Sequence, residues 1–213
     1  MQPLGRALET QTLSLFSRRL LNVPKYKFVY QPQVREAAVL MALCNTHQGV
    51  PSVLFTIRNL NMRTHRGEVR QVDRQTGKRV DYPTDASLED TARRETHEEV
   101  GLPPSAIDIL GCYSPMPNRT GSLRVHPFLG FIRNPIDAAD VRFNPEEVSS
   151  VFTLPIEYLI RPDVRQTRLF RNTKHSYTVF KVPDHIEGER EIWGLTSFIL
   201  DGVFRKIIPE HYS

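Results

Sequence analysis

The chain has 213 residues, 39% hydrophobic and 24% charged, which is enough for one well-buried core and too apolar for wholesale disorder. A formal net charge of +4 suits a polyanionic partner, nucleotide or RNA, without choosing between them. No apolar run approaches the roughly 20 residues that cross a bilayer, and the 2 cysteines, Cys44 and Cys112, are too few for a disulfide framework. Both are expected as buried thiols in a reducing compartment.

Met1–Leu21 carries Arg6, Arg18 and Arg19 against one acid, Glu9. Two readings stand. An Arg-rich, acid-poor, amphipathic start is that of a mitochondrial targeting segment, with a cytoplasmic protein as the alternative. The same residues also make an ordinary first helix, Glu9–Leu21, with Leu13, Phe16, Leu20 and Leu21 turned inward. Residues 1–34 are therefore set apart as an N-terminal extension, with Val23–Gln33 a linker or short strand. Ala37–Cys44 is an unbroken apolar run of strand length and predicts a strand covered on both faces. His47-Gln48-Gly49 makes a turn into a second strand, Ser52–Arg58. Asn59–Thr84 is polar and basic, and reads as a long loop.

Ser87–Val100 has a helical pattern, N-capped by Asp85 or Ser87 and ended by Gly101 and two prolines. Ile107–Tyr113 and Val125–Ile132 predict strands, with His126 a satisfied sheet-edge histidine. In Asn144–Phe152, acidic and then amphipathic, Glu146 and Glu147 read as helix-start acids. Ser176–Val182 and Glu191–Leu195 predict a closing hairpin with Trp193 in the core, and Ser197–Lys206 a final helix. Strands and helices mix without strict alternation, giving an α/β (α+β) class with helices on a mixed sheet.

The chemistry concentrates in Arg94-Glu95-Thr96-His97-Glu98-Glu99-Val100-Gly101-Leu102. Positions three and four apart share a helix face, so Glu95 stands beside Glu98 and Glu99. Leu88, Ala92 and Thr96 form a neighbouring ridge for packing, and His97 points away. Three carboxylates so placed repel one another, and a hard cation such as Mg²⁺ removes the conflict. A cation there could activate water and neutralise phosphate charge. A solvated acidic face paired to Arg93 or Arg94 is the plainer reading of any glutamate cluster.

Arg-Glu-x-x-Glu-Glu-x-Gly followed by an apolar residue is the second half of the Nudix box, and the chain resembles the Nudix hydrolases. Leu54-Phe55-Thr56-Ile57-Arg58, Arg63 and Gly67 are similar to the extra motif of their coenzyme A diphosphatase branch. Val125–Phe131, Asn144–Val148 and Ile192–Thr196 are similar to other segments of that branch. The resemblance implies a Nudix fold, a mixed β-sheet sandwiched between α-helices, over residues 35–208. It implies Mg²⁺ or Mn²⁺ held by Glu98 and Glu99, with Glu95 a further ligand or the residue that orients the attacking water, and Arg94 orienting a glutamate. Arg58 and Arg63 would face the nucleotide, where the alternative is solvated loop arginines; Gly67 and Gly77 complete the implied substrate-binding set. The implied reaction is hydrolysis of the diphosphate of coenzyme A, giving adenosine 3′,5′-bisphosphate and 4′-phosphopantetheine.

One segment departs from the family. Where relatives have Phe-Pro-Gly-Gly this chain has Gln71-Val72-Asp73-Arg74, and the nearest glycine is Gly77. In the family that pair brings the backbone close to the metal, an approach glycine permits. Either Gly77-Lys78-Arg79 supplies a substitute, or the loop is rebuilt and catalysis is lost. The second option makes the chain a non-catalytic structural or RNA-associated subunit of a larger assembly.

Overall fold

The run Ala37–Cys44 has no polar side chain to turn toward water, and it becomes the centre of the molecule. The computed structural model describes residues 6–59, 69–70, 72–73, 85–170, 174–186 and 191–212. In order these form α1 (Thr10–Leu20), β1 (Arg35–Asn45), β2 (Pro51–Arg58), the short strands β3 (Val69–Arg70) and β4 (Val72–Asp73), and α2 (Leu88–Val100). There follow β5 (Ile107–Cys112), β6 (Met116–Pro117), β7 (Leu123–Ile132), β8 (Val148–Pro155), the single turn α3 (Ile156–Leu159), β9 (Arg165–Leu169), β10 (Ser176–Lys181), β11 (Glu191–Ile192) and α4 (Gly194–Ile207).

The main sheet runs β3-β2-β1-β7-β5, with β4 beside β1, β6 beside β7 and β8 beside β2. β1 and β7 are parallel, from Arg35 opposite Leu123 to Leu43 opposite Phe131, and the other pairs are antiparallel. Successive side chains of a strand point to opposite faces, so β1 feeds two cores. Val39, Met41 and Leu43 join Phe16, Leu20, Leu200, Val203 and Phe204 of α1 and α4. Ala38, Leu40, Ala42 and Cys44 join Ala92 and Val100 of α2. The sheet is thus mixed and lies between helices, as expected. A second, antiparallel sheet, β11-β10-β9, packs beside α4.

Of the two readings of the N-terminus, the described residues make a helix that packs inward. Leu8, Phe16 and Leu20 are buried, Ser17 Oγ donates to the carbonyl of Leu110, and Arg19 reaches the carbonyl of Ile207 and the carboxylate of Glu210. Leu21, expected inside, is 80% exposed, because the helix ends at Leu20 and Leu21 continues the turn away from β5. Gly111 is what lets α1 lie so close: a Cβ there would stand 2.9 Å from the Cβ of Leu20.

Other expectations are corrected. The stretch Asn59–Thr84 is not all loop, since Val69 and Arg70 pair with Ile57 and Thr56 while Val72 and Asp73 pair with Leu40 and Val39. β2 runs beside β8 from Ser52 to Arg58 but pairs with β1 only as far as Leu54–Ala42, beyond which β3 pairs with β2 at Thr56 and Ile57. The hydrogen-bonding edge of β1 beyond that point is taken up by β4, and two-residue strands leave no periodicity to read. Glu146 and Glu147 do not start a helix; they lie in a turn closed by Glu147 and Val148 N–H on the carbonyl of Asn144, and β8 follows. Trp193 is 41% exposed at the N-cap of α4, since the hairpin before it buries Phe180 and Ile192 instead. His126 sits in β7 with neighbours on both sides, not at a sheet edge. Cys44 is buried and Cys112 only partly so, and both are free thiols. Burial, with the charge of Asp137 adding to it, pushes Cys44 up to about 12, and burial pushes Cys112 up to about 11, so neither is poised as a nucleophile. Among the described residues no helix is long and apolar enough to cross a membrane.

Candidate metal and substrate site

The helix that carries the glutamates is fixed at both ends. Ser87 is its N-cap, its Oγ accepting from the N–H of Asp90 at 3.1 Å. Its C-cap is Gly101, left-handed at φ 68°, with its N–H on the carbonyl of His97. A Cβ on Gly101 would come within 2.7 Å of the carbonyl oxygen of Arg142. Gly101→Ala is therefore expected to cost about 1–3 kcal/mol from positive-φ strain and the clash, readable as a lower urea midpoint.

Along α2, Ala92, Thr96 and Val100 form a buried ridge on the sheet, and Thr96 returns its hydroxyl to the carbonyl of Ala92. The neighbouring ridge is the chemical one. Glu95 and Glu99, one turn apart, are 8% and 4% exposed, while the side chain of Glu98 is 38% exposed. His97 is exposed, as expected.

Arg94 ties these carboxylates together. Its Nη2 lies 2.8 Å from Glu95 Oε1, its Nη1 3.0 Å from Glu98 Oε1, and Nε and Nη2 each 3.0 Å from Asp85 Oδ2. Burial by itself lowers the Arg94 pKa, but Asp85, Glu95 and Glu98 outweigh it and hold the guanidinium above its ordinary value. Arg93 faces elsewhere, pairing with Glu89 and donating to the carbonyls of Pro104 and Ile107. Sequence reasoning missed Asp85 as a member of this group. The only signal was an acid just before the N-cap, nine residues from Arg94, a spacing that no regular element links.

Arg58, at the end of β2, is 6% exposed, so it is no solvated loop arginine. It lies four residues past Leu54, whose side chain packs in the α2-side core, and strand alternation keeps it on that face. The turn after Asn144 joins it to α2: Asn144 N–H donates to the carbonyl of Glu99, and Asn59 N–H to that of Glu147. Glu99 and Arg58 thus border one corner of the sheet. Val72 and Asp73, where relatives have the proline and the first glycine of Phe-Pro-Gly-Gly, are strand-paired to β1 against α2, and Arg74, at the second glycine, lies outside the described residues. Arg63, Gly67 and Gly77 lie outside the described residues.

Among the described residues, no three His, Cys, Asp or Glu side chains converge into a ready cation cage. The donors fit a hard divalent ion in kind: carboxylate oxygens only, two of them buried one turn apart and a third at the rim. Buried carboxylates are costly unless neutralised. One Arg94 charge shared by Asp85, Glu95 and Glu98 leaves a negative excess for a cation.

The NUDIX domain family model matches residues 34–176, which spans every strand of the main sheet and α2. The chain belongs to the Nudix family of hydrolases. Among its relatives is Nudix hydrolase 3 of Caenorhabditis elegans, 30% identical, with 93% of this chain and 85% of that protein covered. The human mitochondrial coenzyme A diphosphatase NUDT8 is 32% identical over 92% of this chain and 78% of its own length. The mitochondrial Nudix hydrolase 15 of Arabidopsis thaliana is 34% identical over 78% of this chain and 56% of its own length.

Proposed function

We propose that the chain hydrolyses the diphosphate bond of coenzyme A or a close derivative in a reaction that requires Mg²⁺ or Mn²⁺. The observation that carries this is the Arg94-centred set of carboxylates on α2. The ion would supply an acidified water and charge neutralisation at phosphorus. Glu98 and Glu99 are the residues to hold it. Glu95 is a further ligand or the group that orients the attacking water, and Arg94 holds Glu95 and Glu98 in register. Arg58, with Arg63, Gly67 and Gly77, would bind the anionic nucleotide, where a guanidinium grips phosphate bidentately. Asp85 positions Arg94. Partners supporting a metal site typically contribute 10–100-fold to affinity or activity, so Asp85→Asn is expected to lower turnover by about tenfold at unchanged stability, read from kcat alongside a metal titration.

The substrate reading rests on likeness to the coenzyme A diphosphatase NUDT8, and the names of relatives support a mitochondrial site of action. The working unit we propose comprises residues 35–208 together with α1. The test is release of adenosine 3′,5′-bisphosphate from coenzyme A by the purified chain with Mg²⁺ or Mn²⁺, and its loss in chelator. Strand pairing of Val72 and Asp73 within the segment that replaces Phe-Pro-Gly-Gly favours a second reading, a non-catalytic subunit of an RNA or protein assembly. No turnover on coenzyme A, its acyl esters or other nucleotide diphosphates would select it.

A further inference from the structure

Beyond α2, the same sheet face carries a polar cluster, of which only His126, within Val125–Phe131, falls in a segment that resembles the coenzyme A branch. Residues paired across adjacent strands share a face. Glu36 stands opposite Arg124, Ala38 opposite His126 and Leu40 opposite Phe128. Ala38 and Leu40 belong to the core under α2, with Ala92 and Val100. Glu36, Arg124 and His126 therefore continue the α2 face of the sheet past the point where the helix covers it, on the side toward which Arg58 also turns.

The cluster is organised around one carboxylate. Glu36 Oε1 accepts from Arg124 Nη1 at 2.8 Å, and Glu36 Oε2 lies 2.6 Å from His126 Nε2. The side chains of Glu36 and Arg124 are each 38% exposed and that of His126 20%. The Arg124 guanidinium lies 4.7 Å from the centroid of the Tyr30 ring. Tyr30 is itself held in place, because Gln31 beside it donates from its N–H to the carbonyl of Gly121 and from Nε2 to that of Thr120. Ala38, the cross-strand partner of His126, presents only a methyl group on this face.

Partly exposed ion pairs of this kind contribute little to stability, and parallel strand pairs ordinarily carry apolar side chains, whereas Glu36 and Arg124 stand near the start of the β1–β7 ladder. The arrangement instead fixes a guanidinium and an imidazole beside an aromatic ring. The carboxylate engages one terminal nitrogen of Arg124 and one ring nitrogen of His126, and the other side of each remains for a ligand. A planar guanidinium so held, with an imidazole next to it, matches the oxygens of a phosphate, and the Tyr30 ring is a surface for a base.

We propose that Arg124 and His126, oriented by Glu36, bind a phosphate monoester at the end of the substrate remote from the scissile diphosphate. On the coenzyme A reading above, this is the 3′-phosphate of its ribose. The subsite makes the enzyme prefer the 3′-phosphorylated nucleotide over its dephosphorylated form.

Two measurements test it. Calorimetry on the full chain compares adenosine 3′,5′-bisphosphate with adenosine 5′-monophosphate. The wild type is expected to bind the bisphosphate about tenfold or more tightly, the value of one or two charge-assisted hydrogen bonds. Arg124→Met and His126→Leu are expected to abolish that ratio, and Arg124→Lys to keep part of it. Kinetics compare coenzyme A with 3′-dephospho-coenzyme A, where the same variants should raise KM for coenzyme A at unchanged kcat and erase the preference. A wild type that treats each pair of ligands alike overturns the subsite, and so do variants that weaken both members of a pair equally, since that is the mark of a structural role. Failure of the wild type to turn over either coenzyme overturns the catalytic reading instead, and the ratio of bisphosphate to monophosphate binding still decides the subsite.

Discussion

Glu98→Gln is expected to abolish metal-dependent hydrolysis while leaving the fold intact. The two side chains are nearly isosteric, and Glu98 is the most exposed of the three glutamates, at 38%, so no cavity and no buried unpaired group is created. What is lost is one negative charge at the rim of the site and the partner of Arg94 Nη1, 3.0 Å away. An ion ligand worth several kcal/mol to the transition state, at tenfold for each 1.36 kcal/mol, puts the fall in kcat/KM at roughly a thousandfold. Unfolding free energy should move by no more than about 0.5 kcal/mol, as for most surface substitutions, or rise slightly as repulsion with Glu95 and Glu99 is relieved. Steady-state kinetics with a manganese titration, beside a urea melt, reads both numbers. Full metal-dependent turnover in this variant would remove Glu98 from the site.

The second large effect is on stability. Phe16 is 1% exposed and packs with Leu20 into the core formed by Val39, Met41 and Leu43 on the face away from α2. Phe16→Ala leaves a cavity that the sheet cannot collapse to fill, and about 3–5 kcal/mol is the usual loss. Removal of residues 1–21 takes Leu8 and Leu20 as well and uncovers Leu110, Leu200 and Phe204, which should give a chain that aggregates. Metal binding by α2 on the opposite face should survive Phe16→Ala. A Phe16→Ala variant with wild-type unfolding behaviour would mean that α1 contributes nothing to the core.

How much of this was legible beforehand varied with the physics of each segment. β1 was plain, because a strand buried on both faces must be apolar throughout, and Ala37–Cys44 is. The glutamate helix was plain in pattern, from Ser87 to Gly101, and its residue order carried the family. β3 and β4 were illegible: a strand of two residues shows no alternation, and its pairing depends on where β2 parts from β1, which is a property of the sheet. Glu146 and Glu147 misled because acids mark helix starts and tight turns alike, and Asn144 decided for the turn by accepting two N–H groups at its carbonyl. Asp85 could be found only in three dimensions, since its partner is nine residues away across an N-cap. Trp193 misled by size, since a large aromatic at the start of α4 can lie along the surface when Phe180 and Ile192 already fill the space below.

Arg19 on α1 binds the carbonyl of Ile207 at the end of α4 and the carboxylate of Glu210 just beyond it, partners 188 and 191 residues away. The consequence concerns the order of synthesis. α1 already has a seat on β1 and β5 once those strands are made, but the share of its cover that α4 supplies comes much later in the chain, so Phe16 and Leu20 wait until then for their full burial. Contacts so distant along the chain slow folding, and apolar surface left waiting invites capture by chaperones or by other nascent chains. Docking of α4 on α1 is then a late step of folding, and a nascent chain stalled before α4 should leave α1 more open to protease than the central sheet.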